Sequence, residues 1–201
     1  MIRVLLADDQ AMVRGALSAL LRLEKDIEVV AEIGRGEDVV TAALEKKPDV
    51  ALLDIEMPGG DGLTAAAALS KALPSCRVLM LTIFGKPGYL RRSMEGGAVG
   101  FLTKDMPSAQ LASAIRRVAA GERVIDPRLA LDALSEGENP LTNRERDVLA
   151  AASSGAAIAE IASQLFLSRG TVRNYLSLAM QKLDAANRFE AARKAKEKGW
   201  I

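Results

Sequence analysis

Five residues within the first 104 of the chain could together handle a phosphoryl group: Asp8 and Asp9, Asp54, Thr82 and Lys104. Each ends or follows a short aliphatic run: RVLLA before Asp8, VALL before Asp54, CRVLML before Thr82 and VGFLT before Lys104. Three converging carboxylates cannot all stay ionised without compensation. A hard divalent cation supplies it, and magnesium is held by one or two carboxylates, some waters and a phosphate oxygen. With Asp8 and Asp9 on the metal, Asp54 could attack phosphorus, because carboxylates form aspartyl phosphates. Lys104 and the Thr82 hydroxyl would then hold the phosphoryl oxygens. A carboxylate at a strand end is also a common helix cap, but capping does not account for polar groups at four strand ends at once.

The elements that must position these groups alternate along residues 1 to 120. RVLLA is followed by Met12, Val13, Ala16, Leu17, Leu20 and Leu21 at helical spacing; IEVVAEI by GEDVVTAALEKK, which Pro48 stops. DVALLD precedes LTAAAALSKAL, CRVLMLT precedes PGYLRRSMEG, and VGFLT precedes SAQLASAIRRVAAG. Five strand–helix pairs predict an α/β domain with a five-stranded parallel sheet, because parallel strands need crossovers and the crossovers cover both faces. Such open sheets collect ligands at the carboxyl ends of their strands, near a topological switch. That is where DVALLDIEMPGGDG presents Asp54, ahead of a turn too tight to continue the strand. Strand two alone delivers no polar group to this edge.

Composition narrows the classes. The chain has 201 residues, 49% hydrophobic and 3% aromatic, as expected of helices packed on aliphatic strands. It contains no histidine, which excludes Ser-His-Asp and Cys-His catalysis. Cys76 is the single cysteine, so no internal disulfide forms and a reducing, cytoplasmic location is expected. No apolar run approaches the roughly 20 residues of a membrane span, and MIRVLLADD lacks the features of a signal peptide. Residues 1 to 120 carry 15 basic and 15 acidic residues, 121 to 140 carry 2 and 5, and 141 to 201 carry 10 and 6. The basic excess at the C-terminal end points to a polyanionic partner there. Residues 121 to 139, rich in Gly, Pro, Asp and Glu around DPRLALDAL, are expected to be a linker.

From residue 140 onward the pattern is helical throughout. Thr142 stands three residues before Glu145, a capping-box spacing, in LTNRERDVLAAASSG; AIAEIASQLF, TVRNYLSLAMQKL and RFEAARKAKEKG complete four helices. In the third, Val172, Tyr175, Leu176, Ala179, Met180 and Leu183 make one apolar stripe, and Arg173, Asn174, Ser177 and Gln181 lie off it. Two helices joined by the tight turn LSRG, the second with a short-polar, basic face, suit entry into a DNA major groove.

LLADDQ, LLDIEMPGGDG, MLTIF and FLTKD, in this order, resemble the receiver domain of two-component response regulators, over essentially all of residues 1 to 120. The resemblance implies a flavodoxin-like doubly wound fold, phosphorylation of Asp54 by a sensor histidine kinase, and Mg2+ held by Asp8, Asp9, Asp54 and the Glu56 main-chain carbonyl. It implies phosphate contacts from Thr82 and Lys104, and a switch in which Thr82 moves toward the phosphoryl group while Phe101 turns inward. The position after Thr82, usually small in receivers, is Ile83 here, which is expected to narrow access to Asp54. The chain would not be an enzyme beyond its own phosphorylation and dephosphorylation.

LTNRERDVLAAASSG, EIASQLFLSRGTVRNYLSLAMQKL and NRFEAA resemble the helix-turn-helix of the LuxR and NarL/FixJ class. This implies a small all-α domain over 140–201 that binds double-stranded DNA, with Arg173, Asn174 and Ser177 facing bases and Arg169, Thr171 and Lys182 near phosphates. Ile158-Ala159 stands where the family often has Asn-Lys, and Tyr175 where a His is common. FGKPGYLRR, GTVRNY and KEKGW further resemble DesR-type regulators, which implies membrane-lipid or envelope-stress genes as targets. Phosphorylation is expected to promote a homodimer through residues 11 to 23 and 108 to 119, where Ala109, Ala112 and Ser113 are small enough for close approach. Two other classes share parts of the pattern. A Mg-dependent aspartyl-phosphate phosphotransferase of the dehalogenase type would need DxDx[TV] after the first strand, where LADDQ stands. A phosphorylation-independent DNA-binding or interaction module would not need Asp54.

Overall fold

The run VALLD becomes a strand buried at every position, β3 (Val50–Asp54), at the centre of a parallel sheet. Strands sealed on both faces must be apolar throughout. The computed structural model describes residues 1–83, 85–135 and 139–201. Its sheet has the order β2-β1-β3-β4-β5-β6, from β1 (Ile2–Ala7), β2 (Ile27–Ile33), β3, β4 (Arg77–Thr82), β5 (Gly100–Thr103) and β6 (Val124–Ile125). The crossovers are α1 (Ala11–Leu21), α2 (Val39–Lys46), α3 (Gly62–Ala72), α4 (Pro87–Glu95) and α5 (Ser108–Ala119). Strand order reverses about β1, so β1 and β3 flank the topological switch.

Register fixes which groups meet. Ala7 pairs with Leu53, so Asp8 is level with Asp54 one strand away. Asp54 pairs with Leu81, placing Thr82 one residue further out, and Thr82 pairs with Thr103, placing Lys104 just beyond. Beneath this edge Val4, Leu6, Leu52, Leu79 and Leu81 pack with Leu111, Ala112, Ile115 and Val118 of α5.

The sheet departs from expectation in having six strands instead of five. Val124 and Ile125 pair with Gly100 and Phe101 on the β5 edge. Two residues show no periodicity, so only the exposed ladder of β5 could recruit them. The segment expected to be a linker thus carries β6 and then α6 (Pro127–Ser135). Its residues 136–138 lie outside the described residues, as does Phe84 of FGKPGYLRR. Ala112, expected at a dimer face, points instead into the core at 2% exposure. Helical phase puts it with Leu111 and Ile115, while Ala109 and Ser113 stay exposed.

The chain divides into two compact units, Met1–Gly85 with Leu90–Asp132, and Lys86–Tyr89 with Ala133–Ile201. In the second, α7 (Asn143–Ala152), α8 (Ile158–Gln164), α9 (Arg169–Lys182) and α10 (Arg188–Glu197) enclose Val148, Leu149, Ile161, Val172, Leu176 and Ala191. The capping box at α7 forms as expected: Glu145 N–H donates to Thr142 Oγ1 at 3.3 Å, and Thr142 N–H to Glu145 Oε2 at 2.7 Å. Ser168 caps α9 through the Thr171 N–H at 3.0 Å.

Candidate functional site

Asp54 and Asp8 use their oxygens in the same way. The Ile55 N–H donates to Asp54 Oδ1 at 2.8 Å, and the Gln10 N–H donates to Asp8 Oδ1 at 2.9 Å. Each Oδ2 faces Lys104 Nζ, at 2.8 Å from Asp54 and 2.7 Å from Asp8. The contact with Asp54 is an aligned hydrogen bond. The contact with Asp8 is an ion pair, and among the described residues the buried Asp8 Oδ2 has no partner besides that ammonium. One ammonium thus serves two carboxylates, and the cluster retains an uncompensated negative charge even before the exposed Asp9 is counted.

Burial pushes the Asp54 carboxyl above its ordinary range; Lys104 pulls it down and Asp8 adds to the rise. Burial alone would lower Lys104, but its contacts with Asp54 and Asp8 outweigh that and hold the ammonium above its usual value. One carboxylate oxygen from each of Asp8, Asp9 and Asp54 lies within 4.8 Å of the others. An all-oxygen donor set, with more carboxylates than the one ammonium of Lys104 balances, fits a hard divalent cation.

The other expected residues take distinct places. Thr82 is buried at 2% exposure, and its carbonyl accepts the Lys104 N–H at 2.8 Å. Glu56 is exposed in the turn after β3. Ile83, expected to narrow access, is 53% exposed. Phe101, for which the resemblance implies an inward turn, is already fully buried.

The turn after Asp54 is closed by backbone contact. Gly62 N–H donates to the Ile55 carbonyl at 2.8 Å, and a Cβ on Gly62 would lie 1.8 Å from the Asp54 carbonyl oxygen. The turn that follows β2, a strand that delivers no polar group to this edge, supports the site from the side. The Gly36 N–H donates to the Pro58 carbonyl at 3.1 Å, and a Cβ there would meet the Gly60 carbonyl oxygen at 1.9 Å. Arg14 donates from Nη1 to the Asp8 carbonyl. Nothing in helical periodicity marks Arg14; the glycine pair in IGRGE was the only available signal.

In the second unit, Arg173, Asn174, Ser177, Leu178 and Gln181 form an exposed face of α9, with Arg169 exposed at its start. The Thr171 hydroxyl is 2.8 Å from the Ser168 hydroxyl. Lys182 is engaged within the fold: its Nζ lies 2.7 Å from Oε2 of Glu145, which is 3% exposed. A DNA phosphate would have to compete with that pair.

Comparison with known proteins accords with both units. Residues 4–116 match the family of response regulator receiver domains, and residues 139–195 match the luxR family of bacterial regulatory proteins. The transcriptional regulatory protein DesR of Bacillus subtilis is 46% identical over 201 residues, covering 100% of both chains. The uncharacterized transcriptional regulatory protein YvfU of the same organism is also 46% identical, with 100% of both chains covered. Among solved structures, the response regulator ChrA of a heme-sensing two-component system is 34% identical with a TM-score of 0.59, covering 100% of this chain and 98% of the other. Among the described residues no helix is long and apolar enough to cross a membrane.

Proposed function

The chain belongs to the two-component response regulators that join a receiver to a LuxR-type DNA-binding domain, and on that premise we propose that Asp54 is its phosphoacceptor. It is a DNA-binding transcriptional regulator. The observation that carries the assignment is the shared arrangement of Asp54 and Asp8, each with one oxygen fixed by a main-chain N–H and the other turned to Lys104.

Asp54 Oδ2 attacks phosphorus of a phosphohistidine on the partner kinase; the P–N bond breaks, its electron pair stays on the imidazole, and the imidazole takes up a proton. Lys104 exchanges its contact with the Asp54 carboxylate for one with the phosphoryl oxygens, and Thr82 donates its hydroxyl to them. Asp8, Asp9, Asp54 and the Glu56 carbonyl would hold Mg2+, which when bound neutralises charge on the phosphoryl oxygens. Phosphorylation shifts the receiver toward a dimerising form, with Ala109 and Ser113 available on the exposed side of α5. Arg173, Asn174 and Ser177 read base edges, and Arg169 and Thr171 approach phosphates. The stretches shared with DesR-type regulators support membrane-lipid or envelope genes as the regulated set, to be tested by transcript profiling of a deletion strain.

The deciding experiment compares sedimentation and DNA binding with and without beryllofluoride and Mg2+, alongside intact mass after a small phosphodonor. A mass increment confined to wild type and lost in Asp54→Ala, together with tighter DNA binding, is expected. An increment that survives Asp54→Ala would remove the assignment. Unchanged DNA affinity and oligomeric state would favour a module that works without phosphate.

A further inference from the structure

Every polar atom of Asp8 has a contact. Its N–H donates to the Ile33 carbonyl at the end of β2 at 3.0 Å, its Oδ1 accepts the Gln10 N–H at 2.9 Å, and its carbonyl accepts from Arg14 Nη1. Its Oδ2 is turned to the Lys104 ammonium, 2.7 Å away. Arg14 is half-buried on α1, and its guanidinium lies across the residue that follows β2: a Cβ built on Gly34 would be 3.3 Å from Nη1 and 3.8 Å from Cζ. The missing side chain at Gly34 makes the berth, and the guanidinium fills it.

We propose that Arg14, seated on Gly34, is a positioning residue that sets the affinity of the acidic pocket for its divalent cation by fixing the loop that carries Asp8 and Asp9. The inference rests on the metal reading of that pocket given above. Its physical content is pre-organisation. Asp8 and Asp9 begin a loop between β1 and α1 that has no ladder of its own once β1 ends at Ala7. At the α1 N-terminus the Gln10 N–H holds only the Asp8 carboxylate, and Gln10 makes no side-chain cap, so neither fixes the Asp8 carbonyl. Arg14 reaches back one helical turn to the carbonyl of Asp8, joining the loop, the helix and the end of β2. Groups that orient the ligands of a metal, without touching it, commonly change affinity by about 10- to 100-fold.

Charge alone predicts the opposite sign. A guanidinium next to the pocket repels a dication, so a purely electrostatic Arg14 would weaken binding and its removal would tighten it. That difference makes the inference decidable. Mn2+ binding to the full chain, followed by loss of the free-ion electron paramagnetic resonance signal, is measured for wild type, Arg14→Ala, Arg14→Met and Gly34→Ala. Arg14→Ala and Arg14→Met are expected to bind about 10-fold more weakly. Gly34→Ala, which keeps the charge and pushes the guanidinium off its seat by a few tenths of an ångström, is expected to lie between them and wild type.

A second readout separates positioning from a merely structural role. The Mg2+ concentration that half-saturates labelling by acetyl phosphate should rise in the same order, while labelling at saturating Mg2+ stays near wild type. Unchanged or tighter Mn2+ binding in both Arg14 variants overturns the inference, whatever happens to their unfolding temperature. If those variants do not fold, Gly34→Ala decides, and wild-type affinity there overturns it. A wild type that takes up no Mn2+ removes the underlying metal reading, an outcome distinguishable from the failure of Arg14 alone.

Discussion

Replacing Lys104 by Met removes one ammonium from between two carboxylates while keeping an unbranched side chain of similar reach. The magnitude follows from the geometry. Contacts of 2.7 and 2.8 Å correspond to gross attractions of about 6 kcal/mol each at an effective dielectric constant near 20. Desolvation of three charges, each several kcal/mol, offsets much of that. Lys104, Asp54 and Asp8 have side chains exposed by only 9%, 5% and 1%, so solvent screens the set little. Truncating one partner of such a buried set costs roughly 3–5 kcal/mol, chiefly from the charge left without a counter-ion. Urea unfolding of Lys104→Met in chelator at neutral pH should therefore show a loss of that size. Millimolar Mg2+ should recover a large part of it, because a ligand that binds only the folded chain stabilises by about 2.7 kcal/mol at a hundredfold excess over its dissociation constant. The Mg2+-induced gain should exceed that of wild type, in which Lys104 occupies the same oxygens. A loss below about 1 kcal/mol, or a loss that Mg2+ leaves untouched, would refute the assignment of Lys104 as the counter-charge of this pocket.

Further outcomes are expected for five variants. Gly36→Ala places a Cβ 1.9 Å from the Gly60 carbonyl oxygen, a backbone clash that no rotamer relieves, and should cost roughly 1–3 kcal/mol; Gly15→Ala in α1, with open space around its Cβ, should gain about 0.5–1 kcal/mol in the same urea assay. Glu145→Gln should lower stability by roughly 1–3 kcal/mol at neutral pH. Burial pushes Glu145 up, but Lys182 and Thr142 outweigh it and hold the carboxyl below its ordinary value of 4.5. A depressed carboxyl contributes stability above its unfolded value and loses it as pH falls through the folded one, so the difference between Glu145→Gln and wild type should vanish in acid. On DNA selected from random sequence, Arg173→Ala should relax base preference by about 1–3 kcal/mol at one position, whereas Arg169→Ala should weaken all sequences alike and flatten the salt dependence by about one unit.

What the linear sequence determined was whatever repeats with the period of an element or ends one. VALL is apolar at each residue because both faces of β3 are covered, and the carboxylate of Asp54 that follows marks the strand end without reference to any other part of the chain. The Thr142–Glu145 box and the apolar stripe of α9 are likewise local patterns, visible at spacings of three and four. Tertiary structure decided everything that depends on which atoms meet across elements. Parallel register brought Lys104 to both Asp8 and Asp54, 96 and 50 residues away in sequence. It turned Ala112 inward and paired Lys182 with a buried carboxylate, although both had looked available on their helices. It recruited Val124 and Ile125 to an open sheet edge, and it set Arg14 on the bare backbone of Gly34. A hydrophobic period records only whether a residue faces the core, because burial is averaged over many neighbours. A hydrogen bond or an ion pair depends on one partner at one distance, and that partner is chosen by the packing of the whole domain.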